Sequence, residues 1–329
     1  LNLLFAQRKN LFRPRFWKAL LQINRFNKET VAELTDPKYG DMPLSEYVRA
    51  RGYGTDFLRW YLSPMAAAVW SSPPERIKSF PARTLMRFWH NHGFLGLDTQ
   101  HPWRTVSGGS REYVRKLAAP LSEHISKGIP VRAVVDKRVT LEDGTAREFD
   151  KVIFACHGDQ SLNLLASPTA LEADILGKFH YQPNRAVVHT DPVIMPRTRR
   201  AWASWNYRIE NAGGRETHST HYWMNKLQGV SENENYFVSI NPPEALDHSK
   251  VIRELEYEHP IFDAAAITAQ SRIHELHEAG HLTGRHYCGA WQRYGFHEDG
   301  IWSAHTLCQE ILKRDPWRRI SSAQPNTAP

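Results

Sequence analysis

Five consecutive apolar residues, Val152-Ile153-Phe154-Ala155-Cys156, constrain this chain more than any other stretch. A strand without polar alternation needs cover on both faces, as in a parallel sheet flanked by helices. The surrounding pattern agrees. Ser107-Gly108-Gly109-Ser110 is a turn feeding a helix, with Ser110 as N-cap and Val114, Leu117, Ala118 and Leu121 as a buried stripe at helical spacing. Strand-like runs follow at 129–135 and 138–141, and Glu142-Asp143-Gly144-Thr145 reads as a hairpin turn.

The first hundred residues read as helices broken by proline and glycine. Pro14 opens a helix through Leu34 that Asp36-Pro37 ends, and 43–51 is a short helix stopped by Gly52. Thr55 caps the next, which runs to Ser71-Ser72-Pro73-Pro74, and Pro81 opens another, stopped by Gly93. Downstream, strands are expected at 185–190, 220–227 and 236–241, and a helix runs from Asp263 through Ile273. The last unit is a strand at 286–291, a loop over Gly295–Gly300, and a helix with Ala304, Leu307, Cys308, Ile311 and Leu312 on one face. Residues 321–329 read as a loose tail.

Composition narrows the function classes. With 41% hydrophobic and 23% charged residues the chain is neither disordered nor fibrous. Apolar runs such as 65–70 are too short to span a bilayer, and no secretory signal opens the sequence. Three cysteines without a CxxC point to a reducing compartment, so a cytoplasmic protein is expected, with peripheral membrane contact left open. A net charge of +7 suits nucleic acid, an acidic membrane surface or a phosphate-bearing cofactor. Arg8, Lys9, Arg13, Arg15 and Lys18 alternate with Phe12, Phe16 and Trp17. Solvated charges on a helix are the simplest reading, and without an RNP, zinc-finger or KH signature no nucleic-acid partner is expected.

Several patterns bear on chemistry. A helix that starts after a glycine-framed bend, as at 286–312, presents backbone N–H groups and a positive dipole end. That is an anion site or an ordinary tight turn. His277-Glu278-Ala279-Gly280-His281 matches HExxH, but Gly280 is expected to interrupt the helix that zinc hydrolysis requires, so no metal is expected. Asp159, after His157-Gly158, reads as a first-turn carboxylate. Cys156 lacks a basic partner and reads as a small hydrophobe.

Tyr287-Cys288-Gly289-Ala290-Trp291 followed by Tyr294-Gly295-Phe296-His297-Glu298-Asp299-Gly300 resembles the carboxy-terminal flavin motif of bacterial FAD-dependent oxidoreductases, the predicted NAD/FAD-binding proteins of the flavin amine oxidase superfamily. Further segments resemble the same family in the same order. These are Leu4–Asn10 with Arg13–Trp17, Gly108–Val114, Phe149–Ala155 and Tyr222–Gln228. The resemblance implies an α/β FAD/NAD(P)-binding, amine-oxidase-like fold with an interleaved substrate domain. The expected partition is a helical part of the substrate domain at 1–105, an FAD-binding segment at 106–165, substrate domain at 166–283, a C-terminal FAD-binding segment at 284–316 and a tail at 317–329. It implies FAD as cofactor and an enzyme that moves a hydride from a small-molecule substrate, an amine or a fatty-acyl chain, to the flavin.

By the same resemblance Val131 meets the adenine end, and Ala155 and Cys156 pass close to the cofactor. Gly289, Glu298, Asp299 and Gly300 frame the turn near ribityl and pyrophosphate, and Phe296 stands beside the flavin ring or in the core. No catalytic base is named. The family's GxGxxG unit, which holds the FAD pyrophosphate, has no counterpart here. The fold is therefore expected to be incomplete at its N-terminus. The alternative function is a truncated non-catalytic remnant, or a subunit whose partner supplies the dinucleotide-binding unit.

Overall fold

The structure is a computed structural model that describes residues 4–319 apart from 40–41, 71, 97–98, 100–101, 103 and 213–214. The expectations placed on Ser71 and on 321–329 lie outside the described residues. The chain forms two compact units, Leu1–Leu121 with Gln182–His259 and Ser122–Tyr181 with Pro260–Pro329. In chain order the strands are β1 (Val131–Val135), β2 (Arg138–Leu141), β3 (Ala146–Glu148), β4 (Val152–Phe154), β5 (His180–His189), β6 (Trp205–Ala212), β7 (Arg215–Trp223), β8 (Phe237–Ile240), β9 (Val251–Ile261) and β10 (Arg285–Tyr287).

The first unit joins a helical block to one sheet. Pro14 sits at the first helical position, where its fixed φ helps and its missing N–H costs nothing, and the helix runs Pro14–Glu33. Phe26 on it is fully buried and meets Trp89 of helix Ala82–Asn91 edge-on at 5.8 Å. The sheet runs β6-β7-β8-β5-β9, with β7 antiparallel to β6 and β8, and β5 antiparallel to β8. One cluster over it gathers Val187, Ile194, Met195, Phe237 and Leu246.

In the second unit β1-β2-β3 form an antiparallel meander, and β4 pairs in parallel with β10. Tyr287 lies opposite Phe154, and their rings stack at 5.1 Å. Around them Leu165, Ile175, Phe179, Ala266, Ile273 and Trp291 close one core.

Several local expectations are corrected. Helix Arg111–Ala118 forms, but Val114, Leu117 and Leu121 face solvent, with Leu117 63% exposed. Helical spacing marks an apolar face and carries no information on whether anything covers it. Ser110 is itself in a helical conformation and makes no capping bond. The residue before the helix at 55 is Gly54, so Thr55 is the first helical residue rather than the cap. β4 ends at Phe154, and Ile153 on its second face is 50% exposed, so only the Phe154 face is covered. The strand expected to reach 227 ends at Trp223, where Met224–Gln228 turns helical and stops at Gly229 in the left-handed region. The final helix begins at His297, inside the stretch expected to be loop.

Gly280 does not interrupt its helix, which runs Ile273–Thr283. The glycine is there for close approach: a Cβ would lie 2.5 Å from His286 Nδ1 and 2.7 Å from the Arg285 carbonyl.

Candidate functional site

In an open α/β layer, ligands collect outside the carboxyl ends of parallel strands. Those ends in the second unit are Phe154 on β4 and Tyr287 on β10. The chain leaving β4 is exposed at Ala155 and half-buried at Cys156. The Cys288 N–H donates to the Phe154 carbonyl at 2.9 Å, which extends the pairing by one residue. The Gly289 N–H then donates to Ser303 Oγ at 2.9 Å, tying the turn to helix His297–Leu312. Trp291 fills the inner side of the bend. Its Nε1 donates to the Cys156 carbonyl at 3.1 Å, and a Cβ on Gly289 would come within 2.4 Å of that nitrogen. Ala155–Cys156, Gly289 and the last helix are thus brought together. Val131 lies apart from them in chain and sheet, in the meander opposite Leu141.

The outer side of the bend is open. Residues 295–298 are exposed, and a Cβ on Gly300 would meet nothing within 4 Å. Gly295 takes φ +90°, a region that favours glycine, and its N–H closes on the Ala290 carbonyl at 3.1 Å. Asp299 is buried, and its carboxylate accepts the Phe296 N–H at 3.0 Å. That carboxylate is committed to capping. Arg293 approaches it at 3.7 Å and lies over the Trp302 ring at 4.7 Å, so a cation stands beside the positive end of the helix. Phe296 is 36% exposed. Exposed first-turn residues at 297 and 298, a guanidinium that offsets Asp299 and clear space at Gly300 leave room for the anionic edge of a flavin or its phosphates, with Glu298 and Asp299 placing two carboxylates in the same turn.

Burial pushes the Cys288 thiol up to about 11, with Cys308 and Cys156 close enough to add to it. Cys288 is therefore held as the neutral form. Beneath the turn lies a network whose long-range members carry no local sequence signal, although Thr169 and Glu172 have capping-box spacing. Glu172, itself buried, accepts Arg285 Nε and Nη2 at 2.8 Å each and Tyr287 Oη at 2.6 Å. It also accepts the Thr169 N–H at 2.7 Å, which closes the cap of helix Ala170–Leu176. Burial alone would raise the Glu172 carboxyl. The Arg285, Tyr287 and Thr169 bonds outweigh it and hold the group below the ordinary carboxylate range.

The HExxH pattern assembles no metal centre. His277 turns inward, with Nε2 3.4 Å from the Tyr287 carbonyl, and burial lowers its pKa. His281 pairs with Glu310 at 2.8 Å. Among the described residues no group of three or more His, Cys, Asp or Glu is placed to hold a metal, and no helix is long and apolar enough to cross a membrane.

The first unit holds its own cavity of about 660 Å³, beyond the end of β8 and beside β7. Sequence reading missed it, because its wall comes from segments far apart in the chain.

Solved structures share this fold. Cyclohexylamine oxidase from Brevibacterium oxydans IH-35A superposes with a TM-score of 0.59 at 9% identity, over 89% of this chain and 75% of that one. A CLA-producing fatty acid isomerase from P. acnes gives 0.57 at 10% identity, over 91% of this chain and 76% of that one. Reduced UDP-galactopyranose mutase gives 0.55 at 13% identity, over 91% of this chain and 74% of that one. At these identities the likeness defines the fold. No curated protein sequence matches significantly. The sequence pattern of flavin containing amine oxidoreductases matches residues 11–230, well over half of the chain. The chain belongs to that family.

Proposed function

We propose that this protein is an FAD-dependent oxidoreductase that takes a hydride from an amine or a fatty-acyl substrate. The observation that carries this reading is the exposed, cation-flanked start of helix His297–Leu312, set at the carboxyl ends of two parallel strands. The flavin, when bound, supplies the two-electron acceptor. The chain's part is to bind and orient. The amides at 297 and 298 and Arg293 attract an anionic edge, and the backbone at Ala155, Cys156, Gly289 and Gly300 allows close approach. Val131 is assigned the adenine end, and the Phe296 ring and the Glu298 side chain border the site. Both substrate classes stand in the reading. Solved structures of the same fold include an oxidase named for an amine and an isomerase named for a fatty acid.

A subunit that takes part of its cofactor site from a partner is the second reading. It is favoured by the open faces of β1 and β4, where Val131, Val135 and Ile153 are exposed.

The experiment is a visible spectrum of the purified protein after incubation with FAD, followed by anaerobic addition of amines and then of unsaturated fatty acids. Retained flavin that bleaches with one class supports the proposal and selects the substrate. Complete loss of flavin on gel filtration refutes it for the chain alone. Recovery of flavin only in a complex with a second protein would establish the partner reading.

A further inference from the structure

The charge of this chain is not spread along it. The first 28 residues carry Arg8, Lys9, Arg13, Arg15, Lys18, Arg25 and Lys28 and no Asp or Glu. The whole chain holds 42 Lys and Arg against 35 Asp and Glu, so these seven cations equal its entire net charge of +7, and everything after them is balanced. Two of the seven are engaged within the fold, Arg15 by Asp56 and Arg25 by Glu29. Arg8, Lys9, Arg13, Lys18 and Lys28 are exposed and form no ion pair among the described residues.

The same segment exposes apolar side chains that the fold holds in place. Phe12 ends the helical turn Arg8–Phe12 and is 87% exposed. The turn is fixed to the helix that follows: Trp17 Nε1 donates to the Leu11 carbonyl at 3.0 Å, and the Arg13 N–H donates to the Asn10 carbonyl at 3.2 Å. The buried Phe5 ring packs on Phe16 and Trp17 at 5.8 and 5.4 Å, which anchors the chain before the turn as well. On helix Pro14–Glu33 the buried residues are Ala19, Phe26, Thr30 and Glu33. At about 3.6 residues per turn, Trp17 stands roughly two and a half turns before Phe26, which puts it on the opposite face. Leu21, 68% exposed, follows Trp17 by about one turn, and Lys28 lies about two turns beyond Leu21 on that face.

Single exposed apolar residues are ordinary, but here Leu11, Phe12, Trp17 and Leu21 share one rigid surface with five unpaired cations. An occupant has to satisfy both sets at once. The cations need negative charge, and the leucines and Phe12 need hydrocarbon. A nucleic acid would meet the cations and stack on Phe12 and Trp17, and it would leave Leu11 and Leu21 in water. An anionic lipid surface supplies both, with phosphates at the level of the cations, acyl chains just below, and an interface in which Trp is favoured. Among the described residues no helix is long and apolar enough to cross a membrane, so this contact lies in the plane of the surface.

We propose that the turn Arg8–Phe12 and the outer face of helix Pro14–Glu33 dock on an anionic lipid bilayer, with Phe12 and Leu21 entering below the headgroups and Arg8, Lys9, Arg13, Lys18 and Lys28 at the phosphates. The assignment is independent of the oxidoreductase reading, and its test needs no cofactor and no turnover. Flotation of the full chain compares vesicles of phosphatidylcholine alone with vesicles that hold about one-third phosphatidylserine. Binding to the anionic vesicles is expected to be at least about tenfold tighter and to weaken as salt rises. Arg8→Gln with Lys9→Gln should weaken it about fivefold for each charge removed. Phe12→Ser with Leu21→Ser should weaken it at least about tenfold and melt with the wild type, because both side chains already stand in water. Leu117→Ser with Lys116→Gln, on the exposed helix Arg111–Ala118, should bind as the wild type does. Acyl-chain-brominated phosphatidylcholine in the anionic vesicles should quench the wild-type fluorescence, and less so in Trp17→Phe. Equal binding to the two vesicles, no flotation with either, or loss of binding in the Leu117 variant and not in the Phe12 variant would each overturn the proposal. So would binding that falls with the cations and ignores Phe12→Ser with Leu21→Ser, which is the behaviour of a nucleic-acid surface.

Discussion

Glu172→Gln is the perturbation whose cost the second unit defines most tightly. Glu172 and Arg285 are 3% and 4% exposed, and the pair is bidentate at 2.8 Å in both bonds. Glutamine keeps the volume and removes the charge, which leaves a guanidinium buried beside an amide that turns an N–H toward it. Breaking a buried pair from one side costs about 3–5 kcal/mol, because the surviving charge is uncompensated. Roughly 10 °C should be lost from the melting temperature at about 2–4 °C per kcal/mol. The variant with Glu172→Leu, Arg285→Met and Tyr287→Phe removes these three polar partners together and leaves the Thr169 N–H without its acceptor, a lost cap bond of about 1 kcal/mol. It should lie within about 2 kcal/mol of wild type, since apolar replacement of a whole buried ion pair is often neutral or stabilising. Urea titration followed by tryptophan fluorescence measures both. Because the folded carboxyl is depressed, its contribution is complete above the unfolded value near 4.5 and is lost as pH falls through the lower folded value. Tyr287 stands two residues before Gly289, so amide exchange at 288–292 should quicken in Glu172→Gln and not in the triple variant. A loss under about 1 kcal/mol in the single variant, or a triple variant weaker than the single, would refute the uncompensated-charge reasoning.

Three further outcomes can be measured directly. His189, His221 and His286 are depressed by burial to about 4, 3 and 4. The unfolded chain takes up protons first as pH falls below about 6.5, so stability should drop between pH 6.5 and 4 by up to about 1.4 kcal/mol per unit per histidine; a flat urea midpoint across that range would contradict this. Gly280→Ala places a methyl 2.5 Å from His286 Nδ1 and 2.7 Å from the Arg285 carbonyl, so it should destabilise by about 1–3 kcal/mol although alanine is the better helix former; thermal melts decide the sign. Leu117→Glu, on the exposed helix Arg111–Ala118, should change stability by no more than about 0.5 kcal/mol and reduce binding of an apolar dye.

The sequence was most legible where chemistry is local. Pro14, the hairpin turn at 142–145 and the Asp263 cap, whose carboxylate accepts the Ala266 N–H at 2.9 Å, each act within a few residues, and the elements stand where expected. The strand, glycine bend and helix near the C-terminus were legible as an order, and the family likeness gave the order its meaning. Exposure was not legible. Val114, Leu117 and Leu121 have the spacing of a buried stripe, and Ile153 lies in a fully apolar run, yet burial depends on neighbours that no local pattern encodes. Gly280 misled for a related reason. Its role is set by His286, and from the chain alone a glycine in a helix looks like a break. The buried hydrogen bonds that join His189, Ser239, His221 and Ser219 were invisible because these residues lie on three strands, each a polar residue in its own stretch, and only the register sets them in line.

The central claim is that the bend before the last helix, with the end of β4, holds the flavin. Amide exchange of the full chain with and without FAD tests it most directly. The account predicts slowed exchange confined to 155–158, 289–300 and the meander around Val131 at the adenine end. Full FAD binding that leaves 289–300 exchanging at its free rate would contradict it.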